Sequence, residues 1–364
     1  MMWFQKQLVA LCAAATVAAT AFAAPPAKDR IADRPNQVRG DEITPEQQKA
    51  VELGLAYLAK QQRADGGFGD AAQPNVAITA LSGLAFMQNG NLPGRGRYGE
   101  NVTRAVDFVL NSCQESGLIA ADQMQGPMYG HGFAALFLGE VYGMTGDERV
   151  KEKLQRAIRL IQKTQNREGG WRYQPAPLDA DISVTICQIM ALRAARDAGI
   201  KVEKTTIDNA VKYVRMCQNP DGGFSYMARQ AGAGNSGFAR SAAGVSSLYY
   251  AGIFEGDEIT KGLKYMMNFL PARGGGGGGV GGPEIDGHYW YGHYYAMQAM
   301  FLAGGDWWAK WYPAVRDQII AKQNKTTGAW SGDFTDEYAT AMALIILQMP
   351  NRYLPVYTGK GPGS

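Results

Sequence analysis

The sequence predicts an all-α protein, an α/α toroid of six helical hairpins with about twelve helices in two concentric layers over residues 45–350. Three observations carry the prediction. An eight-residue step links Gly54 to Gln62, Val106 to Gln114, Ala157 to Gln165, Ala210 to Gln218, Gly262 to Leu270 and Val315 to Gln323, and these end points are separated by 52, 51, 53, 52 and 53 residues. Recurrence at a fixed period of this size marks a repeat architecture. After the glutamine comes a glycine-aromatic turn, and after the turn comes a segment apolar on nearly every face.

Taken from the N-terminus, Lys6 precedes an apolar run from Leu8 to Ala23, and the triplet Ala21, Phe22, Ala23 leads into Pro25 and Pro26. A basic residue, a run too short to span a bilayer and a small-x-small exit describe a cleavable leader over residues 1–23. The chain is therefore expected to be secreted or periplasmic, with no transmembrane segment once the leader is removed. Residues 24–44, rich in Pro, Asp and Arg, read as a linker. The balance of 36 basic against 33 acidic residues contains no basic cluster, so nucleic acid is not an expected partner. Beyond the leader's Cys12 the cysteines are Cys113, Cys187 and Cys217. An odd number cannot build a complete disulfide framework, and Cys113 and Cys217 each precede a repeat glutamine position, as buried small apolar residues do.

The first helix of each repeat is amphipathic, as in Lys153–Lys163 with its Lys, Gln and Arg face, and belongs outside. The turns follow as Gly66-Gly67-Phe68, Gly169-Gly170-Trp171, Gly222-Gly223-Phe224 and Gly328-Ala329-Trp330. A glycine there stops the helix by taking a positive φ and lets the aromatic ring fold back over the helix end. Repeat two keeps only Gln114 and Gly117, and repeat five runs through Leu270 into the tract Gly274–Gly279, so these two turns read as diverged. The second helices, for example Val76–Met87, Phe133–Val141, Ile182–Ala195 and Ala339–Met349, are apolar all round and form the inner layer. Neither end carries a polar capping repeat, which an open solenoid requires, so the hairpins are expected to close on themselves. Residues 351–364, with Gly359, Gly361 and Gly363, read as a loose tail.

The turns Gln62–Phe68, Gln165–Trp171, Gln218–Phe224 and Gln323–Trp330 resemble the prenyltransferase and squalene oxidase repeat, shared by terpenoid cyclases and protein prenyltransferase β subunits. The resemblance covers about 300 residues and implies the α/α toroid with a central cavity. It implies two kinds of chemistry, and the sequence departs from both. Cyclases carry an Asp-x-Asp-Asp run whose central acid protonates the substrate; here Asp179-Ala180-Asp181 is followed by Ile182 and Ser183. Prenyltransferases hold zinc through an Asp-x-Cys pair, and Ser183 stands where the thiolate belongs, so no metal or other cofactor is expected.

Aligning the inner helices by their small residues places Asn75, His131, Asp181, His293 and Asp336 at equivalent N-terminal positions, with Arg240 a candidate in repeat four. In a closed six-fold ring the two histidines and the two aspartates then oppose one another across one mouth. Asp181, Asp179, His131, His293 and Asp336 are the catalytic candidates for acid and base work; Asn75, Tyr129, Arg240, Trp290 and Tyr291 are the binding candidates. Like charge is expected to raise one of the paired Asp179 and Asp181 pKa values. The competing reading is helix capping for Asn75, Asp181 and Asp336, and bonding to a neighbouring loop for the histidines. The expected function is binding of a small isoprenoid-like or carbohydrate ligand in the cavity. The alternatives are a cyclase-like enzyme using Asp181, a carbohydrate-active toroid, and a scaffold that has lost its chemistry.

Overall fold

The computed structural model describes residues 42–69, 74–121, 126–232, 234–271, 288–332 and 334–358, so the expected leader, most of the expected linker, the tract Gly274–Gly279 and residues 359–364 lie outside the described residues. Twelve α-helices are found among them. The outer layer is α1 (Pro45–Gln61), α3 (Gly99–Asn111), α5 (Glu148–Thr164), α7 (Lys204–Met216), α9 (Asp257–Met267) and α11 (Gly305–Lys322). The inner layer is α2 (Val76–Met87), α4 (Met128–Thr145), α6 (Ile182–Asp197), α8 (Phe238–Tyr250), α10 (Tyr289–Ala303) and α12 (Asp336–Leu347). Among the described residues there is no strand beyond isolated bridges, and no helix is long and apolar enough to cross a membrane.

Local sequence explains the two layers. In α5 the buried residues Val150, Leu154, Ala157, Ile158 and Ile161 recur at three- and four-residue spacing, which gives one apolar stripe. In α6 every residue from Ile182 to Ala195 is buried, because the helix is enclosed by outer helices on one side and the ring centre on the other. α1 starts sharply because Pro45 occupies the first turn and Thr44 and Gln47 form a reciprocal capping box. Each inner helix packs on the next, and α12 packs on α2 and α1, so the ring closes. Closure is sealed by Gln47 Nε2 donating to the Leu347 carbonyl and by Gln88 and Gln348 donating to the Gln348 and Ala85 carbonyls, both at 3.0 Å.

The structure explains the repeated glutamine. Gln165 Nε2 donates to the carbonyl of Gly169 in its own turn at 2.8 Å and to that of Thr206 in the next outer helix at 2.9 Å. Gln62 does the same with Gly66 and Asn101, Gln218 with Gly222 and Glu258, and Gln323 with Gly328 and Ala50. In these four repeats one amide thus ties the turn to the following repeat, and that of Gln323 ties repeat six to repeat one. The turn glycines Gly66, Gly117, Gly169, Gly222 and Gly328 have φ of 90°, 90°, 101°, 89° and 85°. Repeat two, which reads as diverged, keeps the same geometry, with Ile119 in place of the aromatic.

Two boundaries need correction. The linker was expected to reach residue 44, yet Glu42 is buried and accepts from Trp308 Nε1 at 2.7 Å. The tail from residue 351 was expected to be loose, yet Leu354, Val356 and Tyr357 are buried. This segment sits against α6 and α10 and closes the end of the ring formed by the inner-helix C-termini. There Tyr357 Oη lies 3.2 Å from Tyr294 Oη, and the Val356 N–H donates to Glu140 Oε2 at 3.3 Å.

Candidate functional site

A second repeated hydrogen bond sets the register of the inner helices. The backbone N–H of the turn residue Phe68, Trp171, Phe224 or Trp330 donates to the hydroxyl of Thr79, Thr185, Ser241 or Thr340 at 2.9 to 3.1 Å. In repeat two the Ile119 N–H donates to His131 Nδ1 at 3.1 Å. His131 is therefore the counterpart of these hydroxyls, one helical turn deeper than Asn75 and Asp181. Small-residue matching misaligned it, because that pattern is nearly unchanged by a one-turn shift.

The proposed ring of five candidates is thereby corrected. His131 is buried in the seam between the layers, and burial pushes it down to about 4. His293 is buried beside Phe238, Tyr289 and Trp311, with ring centroids at 5.2, 4.4 and 6.1 Å, and burial pushes it down to about 3. Neither histidine reaches the ring axis. Replacing His131 with Thr, the residue used at this place in three other repeats, keeps an acceptor for the Ile119 N–H. His131→Ala strands that amide and leaves a cavity, at a cost of about 3 kcal/mol, and thermal unfolding should rank Thr clearly above Ala.

Asn75 is a cap, accepting from the Ile78 N–H at 3.1 Å. Asp336 is exposed, and Thr335 caps α12 in its place. Arg240 is half-buried with its charge felt by Tyr265 of α9, in the outer layer. Trp290 is buried and donates to the Ser331 carbonyl at 3.1 Å, which fixes the loop before α12. Tyr289 turns outward, donating to Gln318 at 2.8 Å.

Two residues before Thr79, His131, Thr185, Ser241, His293 and Thr340, the ring instead presents Ala77, Tyr129, Ser183, Ala239, Tyr291 and Tyr338. Five of these are only partly buried, and Ser183 is 9% exposed, in helices that are otherwise sealed. Tyr129 Oη meets Ser183 Oγ at 2.5 Å, and Tyr291 donates across the ring to the Ser183 carbonyl at 2.9 Å. One turn deeper lie Leu81, Phe133, Cys187, Ala243, Tyr295 and Met342, all buried. Cys187 Sγ and Tyr295 Oη meet at 3.3 Å, and Phe133 packs edge-on to Tyr294 at 6.1 Å. Among the described residues the mouth is thus a tyrosine-walled bowl with a floor of the protein's own side chains, which occupy the ring centre at the level where the cavity was expected.

Asp181 is fully buried behind Ser183. Its Oδ1 accepts from Ser183 Oγ at 2.6 Å and from the Val184 N–H at 2.9 Å; its Oδ2 accepts from Tyr226 Oη at 3.1 Å and lies 3.4 Å from Arg172 Nε. Tyr226 Oη in turn pairs with Tyr173 Oη. Burial pushes the Asp181 carboxyl above its usual range, against the opposite pull of these donors. The expected like-charge coupling with Asp179 is not the cause. Arg172 stands between the two, 2.5 Å from Asp179 Oδ2, and packs over the Tyr173 ring at 4.9 Å. Asp179 faces a separate surface groove of about 430 Å³ lined by Arg167, Glu168, Leu178, Met227 and Arg229.

The sequence reading missed Tyr338, Ser183, Arg172, Tyr173 and Tyr226 as members of this site. Tyr129, Tyr291 and Tyr338 share one repeat position, a signal available once the register is right. Among the described residues no group of three or more His, Cys, Asp or Glu side chains is arranged to hold a metal.

Comparison with known proteins bears on this arrangement. The squalene-hopene cyclase C-terminal domain model matches residues 133–276, the stretch that holds Asp179, Asp181 and Ser183. This match, over part of the chain, supports its likeness to the prenyltransferase and terpenoid cyclase toroid superfamily. Drimenyl diphosphate synthase of Streptomyces showdoensis is 27% identical over 186 residues, 50% of this chain, and the match spans 33% of that relative's length. Among solved structures, a type II terpene cyclase from Scytonema superposes with a TM-score of 0.59 at 13% identity, covering 85% of this chain and 99% of that one. An α-1,6-mannanase of a Salegentibacter species, in complex with α-1,6-mannotriose, gives 0.64 at 9% identity over 84% and 99%. Cellobiose 2-epimerase from Bacillus thermoamylovorans gives 0.64 at 13% identity over 84% and 98%. The toroid is therefore shared with terpene cyclases and with carbohydrate-active enzymes alike.

Proposed function

We propose that this toroid is an exported protein that binds a small molecule, apolar over most of its surface and carrying at least one polar group, in the bowl at the inner-helix N-termini. The observation that carries the reading is the placement of Tyr129, Ser183, Tyr291 and Tyr338 around the axis above a sealed carboxyl. Tyrosines offer broad apolar faces and hydroxyl tips, and six helix N-termini aimed at the same mouth favour a hydrogen-bond acceptor. Export rests on the sequence of residues 1–23.

A second reading, acid chemistry of the terpene cyclase kind, is favoured by one observation, the burial that holds Asp181 toward its neutral form. Against it, Tyr295, Phe133 and Cys187 occupy the depth that a folded isoprenoid needs. A glycosidase-like pair of carboxyls facing one bowl is not found among the described residues, since Arg172 bridges Asp179 and Asp181 and only the latter adjoins the bowl.

The test is native mass spectrometry of the purified mature protein, followed by thermal-shift titration with the molecule found. Asp181→Asn retains the helix cap and the side-chain size while removing the acid, so the melting temperature is expected to stay close to wild type while affinity falls at least tenfold. Protein that carries no small molecule and is not shifted by apolar alcohols, phenols or short oligosaccharides overturns the binding reading. A large fall in stability with binding intact makes Asp181 a structural residue.

A further inference from the structure

Asp181 has no exposed surface, so nothing in the bowl can touch it. Its two oxygens lead out along two hydroxyl paths. From Oδ1 the path runs through Ser183 Oγ at 2.6 Å to Tyr129 Oη at 2.5 Å, and Tyr129 is part of the bowl wall. From Oδ2 it runs through Tyr226 Oη at 3.1 Å to Tyr173 Oη, both only partly buried at the rim. Four hydroxyls and one carboxyl thus form an unbroken chain from the rim, through a sealed acid, to the bowl.

We propose that Asp181 acts on the bowl through Tyr129, the chain Tyr173–Tyr226–Asp181–Ser183–Tyr129 being a relay that converts the protonation state of the sealed carboxyl into donor or acceptor character at the Tyr129 phenol. Hydroxyl chains support this because each oxygen both gives and takes one hydrogen. When Asp181 is ionised, Ser183 donates to Oδ1 and Tyr129 donates to Ser183, so the phenol offers the bowl only a lone pair. When Oδ1 carries a proton it donates to Ser183, Ser183 donates to Tyr129, and the Tyr129 hydrogen is released toward the bowl. Full transfer balances: Ser183 and Tyr129 each accept one proton and pass one on, the bowl molecule gains one, and Asp181 is left as carboxylate. Recharging follows the other path, with one proton entering at Tyr173 and one leaving Tyr226 for Oδ2, after which a half-turn of the neutral carboxyl about its Cβ–Cγ bond returns the O–H to the Ser183 side.

This deepens the binding reading and rests on it for the ligand class, an apolar molecule bearing a carbonyl, ether or amine that accepts a hydrogen bond at Tyr129. Tyr129 is then a specificity-determining residue and Asp181 and Ser183 positioning residues. The groups that face Asp181 are consistent with a protonation change in an accessible range. Arg172 and the donors at Oδ1 and Oδ2 pull the carboxyl down, while burial, the largest influence, pushes it up. Asp179 lies on the far side of Arg172. Tyr129 and Tyr291 from the bowl, Tyr213 and Cys217 from the outer layer and Cys187 from α6 feel its charge, and burial raises all five, so none of them ionises first.

The experiment requires no ligand, so its outcome is separable from that of the binding test. The full chain is prepared with 3-fluorotyrosine at position 129 and labelled aspartate carboxyl carbon, and both nuclei are followed by NMR from pH 4 to 9. In the wild type one titration step is expected at both nuclei with a shared midpoint above the ordinary carboxylate range. Asp181→Asn should abolish it at the fluorine. Ser183→Ala should leave the step at the carboxyl carbon and lose it at the fluorine, and Ser183→Thr, which restores the hydroxyl, should bring it back. A fluorine step that persists in Ser183→Ala means that charge alone is felt through space and overturns the relay. A wild-type fluorine signal that ignores pH while the Asp181 carboxyl titrates overturns it without recourse to any variant.

Discussion

Gly169→Ala is expected to destabilise the toroid by about 3 kcal/mol or more, and Gly146→Ala by about 1 kcal/mol, as read from thermal or denaturant unfolding. Both glycines have a positive φ, 101° and 67°, so both substitutions incur the same kind of backbone strain. They differ in surroundings. A Cβ on Gly146 meets nothing within 4 Å, whereas a Cβ on Gly169 falls well inside 3.0 Å of the Asn209 carbonyl oxygen in α7. That oxygen belongs to helix backbone and cannot step aside without moving the next repeat. The same clash awaits a Cβ on Gly66, Gly117, Gly222 and Gly328, against Arg104, Arg156, Lys261 and Leu53. Equal effects at Gly146 and Gly169 would show that only the dihedral matters and that the close approach between repeats is incidental.

Raising the pH from 5 to 8 is expected to cost the wild type on the order of 4 kcal/mol relative to Glu140→Gln. Glu140 is buried at the closed end of the ring, and burial pushes it from 4.5 to about 8, with Asp197 adding to the rise and the Val356 N–H and Arg193 opposing it. A carboxyl whose pKa is raised on folding binds its proton more tightly in the folded state. Its stabilising influence is complete below pH 4.5, declines as pH rises, and is lost once pH passes about 8. His131 and His293 act with the opposite sign. Their folded values of about 4 and 3 lie below the ordinary 6.5, so stability falls as pH drops through that window. Those contributions cancel in the difference between wild type and variant. The variant should melt roughly 5 °C or more above wild type at pH 8 and close to it at pH 5. Because Val356 is tied to Glu140, hydrogen exchange at residues 354–358 should also quicken with pH beyond its intrinsic rate in the wild type and not in Glu140→Gln. Parallel melting curves at both pH values would place the Glu140 carboxyl in contact with water.

The number of hairpins, the order of outer and inner helices and the closure of the ring are legible in the chain before it folds, because each depends on local and periodic information. The 51- to 53-residue spacing, the amphipathic stripe of α5 and the all-round apolarity of α6 are properties of the chain before it folds. The capping of Asn75 was legible for the same reason, since an N-cap is made by neighbours three residues apart. Register and depth are set by contacts between distant segments. Whether His131 aligns with Asn75 or with Thr79 depends on which side chain the Ile119 amide reaches, a choice made between segments 12 residues apart. Whether Tyr129, Ser183, Tyr291 and Tyr338 face one another depends on closing a ring across more than 100 residues. The filling of the centre by Tyr294 and Tyr295, and the docking of Tyr357 in a tail that reads as loose, depend on volumes contributed by several repeats at once. Periodicity reports which face of a helix is buried; it carries no information on whether that face meets a ligand or another side chain.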